Sequence, residues 1–171
     1  MAYFSPVIPG LDLTYTYSKI APPGNSQGVP INPGSLLDYL NEADNHKVFL
    51  HLVRTAQMDQ IFNEIQADVT VFVPDDKMLL QKFPMNTFLN MEKHQARQVI
   101  SYNCLPRLIK YKELTSSSSM KLDTRIRGQV IYTNYCNQRL MLNNTSTVVR
   151  PDLIVANALI HVTDSFVIPE F

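Results

Sequence analysis

Two apolar runs, far apart in the chain, limit what it can fold into. The first is Val69-Thr-Val-Phe-Val73, a β-branched stretch that reads as a strand and stops at Pro74. Asp75 and Asp76 follow as helix N-caps ahead of Met78, Leu79 and Leu80. The second run lies at the C-terminal end. Leu159, Ile160 and Val162 are apolar, Thr163-Asp164-Ser165 interrupts them, and Phe166, Val167 and Ile168 resume. That pattern predicts a buried strand ending in a bend, with Pro169 closing it.

A chain of 171 residues, 45% hydrophobic and 18% charged, has enough apolar side chains for one domain with its own core. Fifteen basic residues balance fifteen acidic ones, which removes the electrostatic basis for wrapping nucleic acid or docking on an anionic membrane. A local basic excess at Arg107, Lys110, Lys112, Lys121, Arg125 and Arg127 reads as a solvated loop and strand face. No stretch reaches the length of a membrane span. The first ten residues lack the basic start and unbroken apolar segment of a secretory signal, so free, reduced thiols are expected at Cys104 and Cys136. The overlapping sequons at Asn143 and Asn144 would carry glycans only in an exported protein, and a turn accounts for them equally well.

Composition divides the chain at about residue 34. Residues 1–34 hold six of the eleven prolines and four of the five glycines. Proline removes backbone donors and glycine raises the entropy cost of order, so this segment is neither helix nor central strand. Yet Tyr3, Phe4, Tyr15 and Tyr17 sit among its prolines with several aliphatic residues, too apolar a set for a flexible linker. We read residues 1–34 as an extended apolar arm that packs on its own domain or on a partner, and 35–171 as the folded domain.

Within that domain, Ser35 and Asp38 resemble a capping box opening a short helix at Leu36, Leu37 and Leu40. A second amphipathic helix turns Val48, Phe49, Leu52 and Val53 inward and His51, Arg54 and Gln57 mostly elsewhere. Met58, Ile61, Phe62 and Ile65 continue as a third helical piece. After the strand ending at Pro74, helices are expected over 77–81 and 91–102. Strands follow over 107–111, 119–122, 129–133, 139–142, 147–149 and 157–162, with Asn143-Asn144 in a turn of positive φ. Helices first and strands later make an α+β domain.

This order, with its two signature runs, is similar to that of the fasciclin domain family over about residues 35–171. Thr70, Phe72, Pro74 and Asp76 match the family's first box, with Asp75 departing from it. Asn157, Leu159, Ile160, His161, Val162, Asp164 and Pro169 match the second, with Ala158 in place of a glycine. Between the boxes the family often carries a tyrosine-histidine pair followed by apolar residues and proline. Here the segment is Tyr102-Asn103-Cys104-Leu105-Pro106, so tyrosine and proline remain and the histidine is asparagine. That pair is linked to integrin-dependent adhesion in several members, and its loss weighs against an integrin role. The resemblance implies a non-enzymatic adhesion or protein-interaction module whose boxes are mainly architectural.

Side chains able to do chemistry each have a plainer role. His46 and His51 are five residues apart, too far round a helix for a shared metal, and read as surface positions. His161 in an apolar strand reads as buried and hydrogen-bonded, and Cys104 as a small core residue, with nothing local to bring the two together. Asp75-Asp76 lack the further carboxylates of a cation cage. Pro151-Asp152 reads as a turn, although Asp152-Leu-Ile is similar to integrin-contact elements in some fasciclin domains. There is no phosphate loop, dinucleotide fingerprint or nucleophile elbow. The expectation is therefore a protein with no catalytic residue, cofactor or metal that binds other proteins through Tyr3, Phe4, Tyr15, Tyr17, Tyr102 and Asp152. It would serve as a subunit of a large assembly, inside the cell or in a virus particle as a minor structural protein. The alternatives are an extracellular adhesion domain whose leader has been removed and, third, an enzyme or small-ligand binder.

Overall fold

The computed structural model describes residues 30–169. The expectations placed on Tyr3, Phe4, Tyr15 and Tyr17 lie outside those residues. The order is helical first and strand-rich later, as an α+β domain requires. Helix α1 (Leu36–Glu42) starts where the Ser35 hydroxyl accepts the Asp38 N–H at 3.1 Å. The Asp38 carboxylate reaches back to the Gly34 N–H at 2.8 Å, one residue before the position a capping box would use. Residues 30–34, read above as the end of the arm, are tied into the fold. Asn32 donates from backbone and side chain to Asn63, and the Asn63 amide donates to the Pro30 carbonyl at 2.7 Å.

Helices α2 (Lys47–Thr55) and α3 (Asp59–Phe62) turn Val48, Phe49, Leu52, Val53 and Phe62 inward. Arg54, expected mostly outside, is only 6% exposed, and its guanidinium donates to the Asn41 side chain at 3.0 Å. Ile65 falls beyond α3 and is exposed. Strand β1 (Thr70–Pro74), helices α4 (Asp76–Leu80), α5 (Asn86–Leu89) and α6 (Lys93–Tyr102), and the short β2 (Cys104–Leu105) complete the first half.

The 107–111 segment is not a strand. It is irregular up to a single helical turn, α7 (Tyr111–Leu114). Side chains replace the missing ladder: the Thr70 hydroxyl donates to the Arg107 carbonyl at 2.8 Å and accepts the Ile109 N–H at 2.9 Å. The remaining strands are β3 (Ser119–Asp123), β4 (Val130–Cys136), β5 (Arg139–Leu142), β6 (Ser146–Val155) and β7 (Ala158–Thr163). Between β5 and β6 the Asn143 and Asn144 backbones adopt φ of 52° and 54°, as expected for this turn.

These strands form one seven-stranded sheet in the order β2-β1-β7-β6-β5-β4-β3. Only β1 and β7 are parallel, paired from Thr70↔Leu159 to Pro74↔Thr163. Both are buried along their length, which is why each reads as a near-continuous apolar run. The side-chain alternation of a strand then divides the interior. Val71, Val73, Ile160 and Val162 join the helices in one cluster, with Phe49 and Phe166 stacked at 6.0 Å. Phe72, on the other face, joins Leu105, Ile109, Leu122, Ile131 and Leu140 in a second. Strand β6 links the two halves by changing partners. Ser146 and Thr147 pair with β5, and Val148 onward pairs with β7 across a bulge between Arg150 and Leu153.

Candidate functional site

The two signature runs meet at the β1–β7 pair, so the candidate site is assembled around His161. Its ring is fully buried and lies 5.9 Å from that of Phe72, its register partner. An N–H can only donate, so the Asp152 backbone N–H, 3.1 Å away, makes His161 Nδ1 an acceptor. The proton therefore sits on Nε2, which donates to the Ile109 carbonyl at 2.8 Å. Both ring nitrogens are engaged and the imidazole is neutral. Burial lowers its pKa, against smaller opposing effects of that carbonyl and the Asp152 charge. A histidine held this way fastens the 107–111 loop and the β6 bulge to the central strand, and its basic lone pair is occupied by the Asp152 N–H.

Asp152 is part of the same fastening. Its φ of 60° is a left-handed conformation that aspartate tolerates better than most residues, and it aims the N–H at the imidazole. Its carboxylate accepts the Tyr111 N–H at 2.9 Å, satisfying an orphan donor at the start of α7. The carboxylate stays partly exposed, but the more prominent surface group is Ile154, 67% exposed two residues on.

Cys104 and His161 are not a catalytic pair. Cys104 faces Val71 and His161 faces Phe72, so the sheet separates them. The thiol donates to the Ile100 carbonyl at 3.1 Å, and burial pushes its pKa up to about 12. Cys136 is free and exposed.

The adjacent aspartates divide their work. Asp75 caps its own helix, accepting the Met78 N–H at 3.1 Å. Asp76, expected to cap the same helix, instead caps a different one. It is fully buried and accepts the Lys47 and Val48 N–H groups at 2.8 and 3.0 Å at the start of α2. Among the described residues no group of three or more His, Cys, Asp or Glu could hold a metal ion.

His46 and His51 are not surface residues. His46 is fully buried just before α2, with Nδ1–H donating to the Pro74 carbonyl at 3.0 Å. His51 is partly buried. Burial is the first cause of a lowered pKa in both.

Tyr102, named above as a surface contact, is 4% exposed, with its hydroxyl donating to the Val130 carbonyl and accepting from the Asn143 amide at 2.8 Å. Asn103, where the family often has histidine, is fully buried. Its amide donates to the Val99 and Val167 carbonyls at 2.8 and 3.1 Å, and its oxygen accepts the Val167 N–H at 2.9 Å. This clamp holds the final segment against the sheet, and no local pattern in the sequence announces it. Asn143 is 2% exposed and its amide donates to Tyr102 and to the Ile168 carbonyl, so a glycan on it is incompatible with this fold. Asn144 is exposed.

The other signature residues also join elements. Asn157 donates to Gln66 at 2.9 Å. Asp164 accepts the Thr147 N–H at 2.9 Å and pairs with Lys82 at 3.0 Å. Pro169 is exposed at the end of the described chain. The basic residues between Arg107 and Arg127 are exposed, Arg107 pairing with Glu113 at 3.0 Å. No helix among the described residues is long and apolar enough to cross a membrane.

No curated protein matches the chain significantly in sequence. Among solved structures it is similar to a FAS1 domain pair from the insect cell adhesion molecule fasciclin I, with 22% identity and a TM-score of 0.66. The match covers 84% of this chain and 53% of that one, so the chain spans about half the length of the domain pair, and the likeness speaks to fold alone. The fasciclin domain model matches residues 44–169, from just before α2 to the closing proline. Spanning well over half of the chain and both signature runs, that match shows that this protein belongs to the fasciclin domain family.

Proposed function

We propose that this chain is a non-enzymatic protein-interaction module whose N-terminal arm docks on neighbouring subunits of a larger assembly. A minor structural protein of a large virus particle, working inside the cell and then in the virion, is the concrete form of that reading. One observation carries it. The side chains with chemical potential (His161, Cys104, Asp75, Asp76 and Asp152) are all engaged in joining elements of the fold. What remains for function is surface and arm. The arm is Pro-rich and apolar, a composition suited to lying along another protein. Deleting residues 1–29 and measuring self-association and partner capture tests this, with thermal melting to confirm that residues 30–169 still fold. Undiminished association would refute arm docking.

A second reading, an adhesion module at the cell surface or in the matrix, draws support from the exposed Ile154 beside Asp152. Because the Asp152 carboxylate also holds Tyr111, the cleaner test is Ile154→Glu. Unchanged cell attachment to the immobilised variant would remove this reading.

A further inference from the structure

Helices α5 and α6, the β3–β4 connection and the final segment border an open cleft of about 790 Å³. Its apolar surface comes from Met91, Val99, Ile126 and Ile168, and its rim carries five carboxamides: Asn86, Asn90, Gln95, Gln98 and Gln129. Among the described residues no charged side chain lines it. The Gln95 side chain already accepts the Glu92 N–H at 3.0 Å. The other four amides have no hydrogen-bond partner among the described residues.

Each free carboxamide offers both a donor and an acceptor, which suits a peptide backbone better than it suits an ion. Gln95, Gln98 and Tyr102 recur at helical spacing, so they form one stripe along α6, with Met91 just before the helix begins. From Gln95 to Tyr102 that stripe runs roughly 10 Å, the length of about three extended residues. Charge and size together select a short, extended, uncharged segment with apolar side chains.

We infer that the cleft is the docking site of the protein's own N-terminal arm. Residues 1–29 carry only Asp12 and Lys19 as charged side chains, so a neutral segment meets a neutral cleft. Pro6, Pro9, Pro22 and Pro23 cannot donate to a ladder and keep the arm's carbonyls available to side-chain amides. Tyr3, Phe4, Tyr15 and Tyr17 supply rings for the apolar surface. At roughly 3.3 Å per extended residue, the arm has ample reach to this cleft or to that of a neighbouring copy. The inference rests on the docking reading above and names the arm's receptor.

Full-length protein carrying p-benzoylphenylalanine in place of Tyr15, or separately of Phe4, is irradiated, and the cross-linked peptides are mapped by mass spectrometry. Cross-links should fall on 91–102 or 126–129. They should drop at least about tenfold in Gln98→Arg and Gln129→Arg variants, as loss of an interface anchor does. Both side chains are exposed, so these variants should melt within about 2 °C of the parent. Cleft cross-links between copies support both the cleft and the docking reading. Cleft cross-links within one copy support the cleft and overturn docking on neighbours. Cross-links confined to other surfaces, or indifferent to the two substitutions, overturn the cleft. No cross-link from either probe overturns both.

Discussion

Replacing Asn103 by alanine removes three hydrogen bonds at once and leaves the Val167 N–H and carbonyl without their partner, at a residue only 1% exposed. The Val99 carbonyl keeps the Asn103 backbone N–H, so it is not orphaned. Two buried polar groups at about 1–3 kcal/mol each give a loss of roughly 2–6 kcal/mol. For a domain of this size that is a fall in Tm of about 4–24 °C. Asn103→Asp is the sharper test, because shape is conserved. The variant keeps the acceptor for the Val167 N–H but turns a second oxygen toward the Val99 and Val167 carbonyls. It should therefore melt below the alanine variant at neutral pH. Scanning calorimetry gives both values, and hydrogen exchange at the Val167 amide should accelerate at least about tenfold in each variant. A fall in Tm below about 2 °C for alanine, or an aspartate variant more stable than the alanine one, would refute the clamp.

Removing the buried cap with Asp76→Ala should cost about 2–3 kcal/mol, against about 1 kcal/mol for Asp75→Ala at the more exposed cap; urea denaturation that ranks them the other way contradicts the assignment. Burial lowers the pKa values of His46, His51 and His161. The unfolded chain therefore takes up protons below pH ~6.5 while the native state resists, so their stabilisation is complete above that pH and declines as pH falls toward the native values. Melting curves between pH 8 and 5 should show this decline (a range set by the histidine titration), and His161→Gln should flatten it; an unchanged slope removes His161 from the account. In native protein at pH 8 a thiol reagent should label Cys136 quickly and Cys104 only after denaturation, because burial holds the Cys104 pKa at about 12. Rapid labelling of both would mean that the helix-side core opens.

The elements legible in the sequence were those whose signal is local. The β-branched run into Pro74 and the apolar run from Leu159 to Val162 are buried on both faces and need no partner to be read. The Asn143-Asn144 turn declares itself by residue type. What stayed hidden depends on contacts across the chain. The 107–111 loop has strand-like residues at Leu108 and Ile109, but its donors and acceptors go to Thr70 and His161. Strand β6 runs on through Pro151, which would ordinarily end a strand; here the bulge leaves that residue outside the ladder. Asp76 looks like a cap for the helix it begins, and only the packing of α2 beside it reveals the other task. His46 reads as solvated in the sequence because its hydrogen bond reaches a carbonyl twenty-eight residues away.

The parallel pairing of β1 with β7 has a consequence for how the protein is made. β7 is the last strand of the domain to leave the ribosome, yet it occupies the interior of the sheet, between β1 and β6. Until it arrives, β1 presents an unpaired apolar edge and the two halves have no common strand. Such non-local closure is slow, and the waiting intermediate is prone to aggregate. A nascent or truncated chain ending before residue 158 would thus be a client for chaperones and proteases, and the domain is either completed by its final strand or not formed at all.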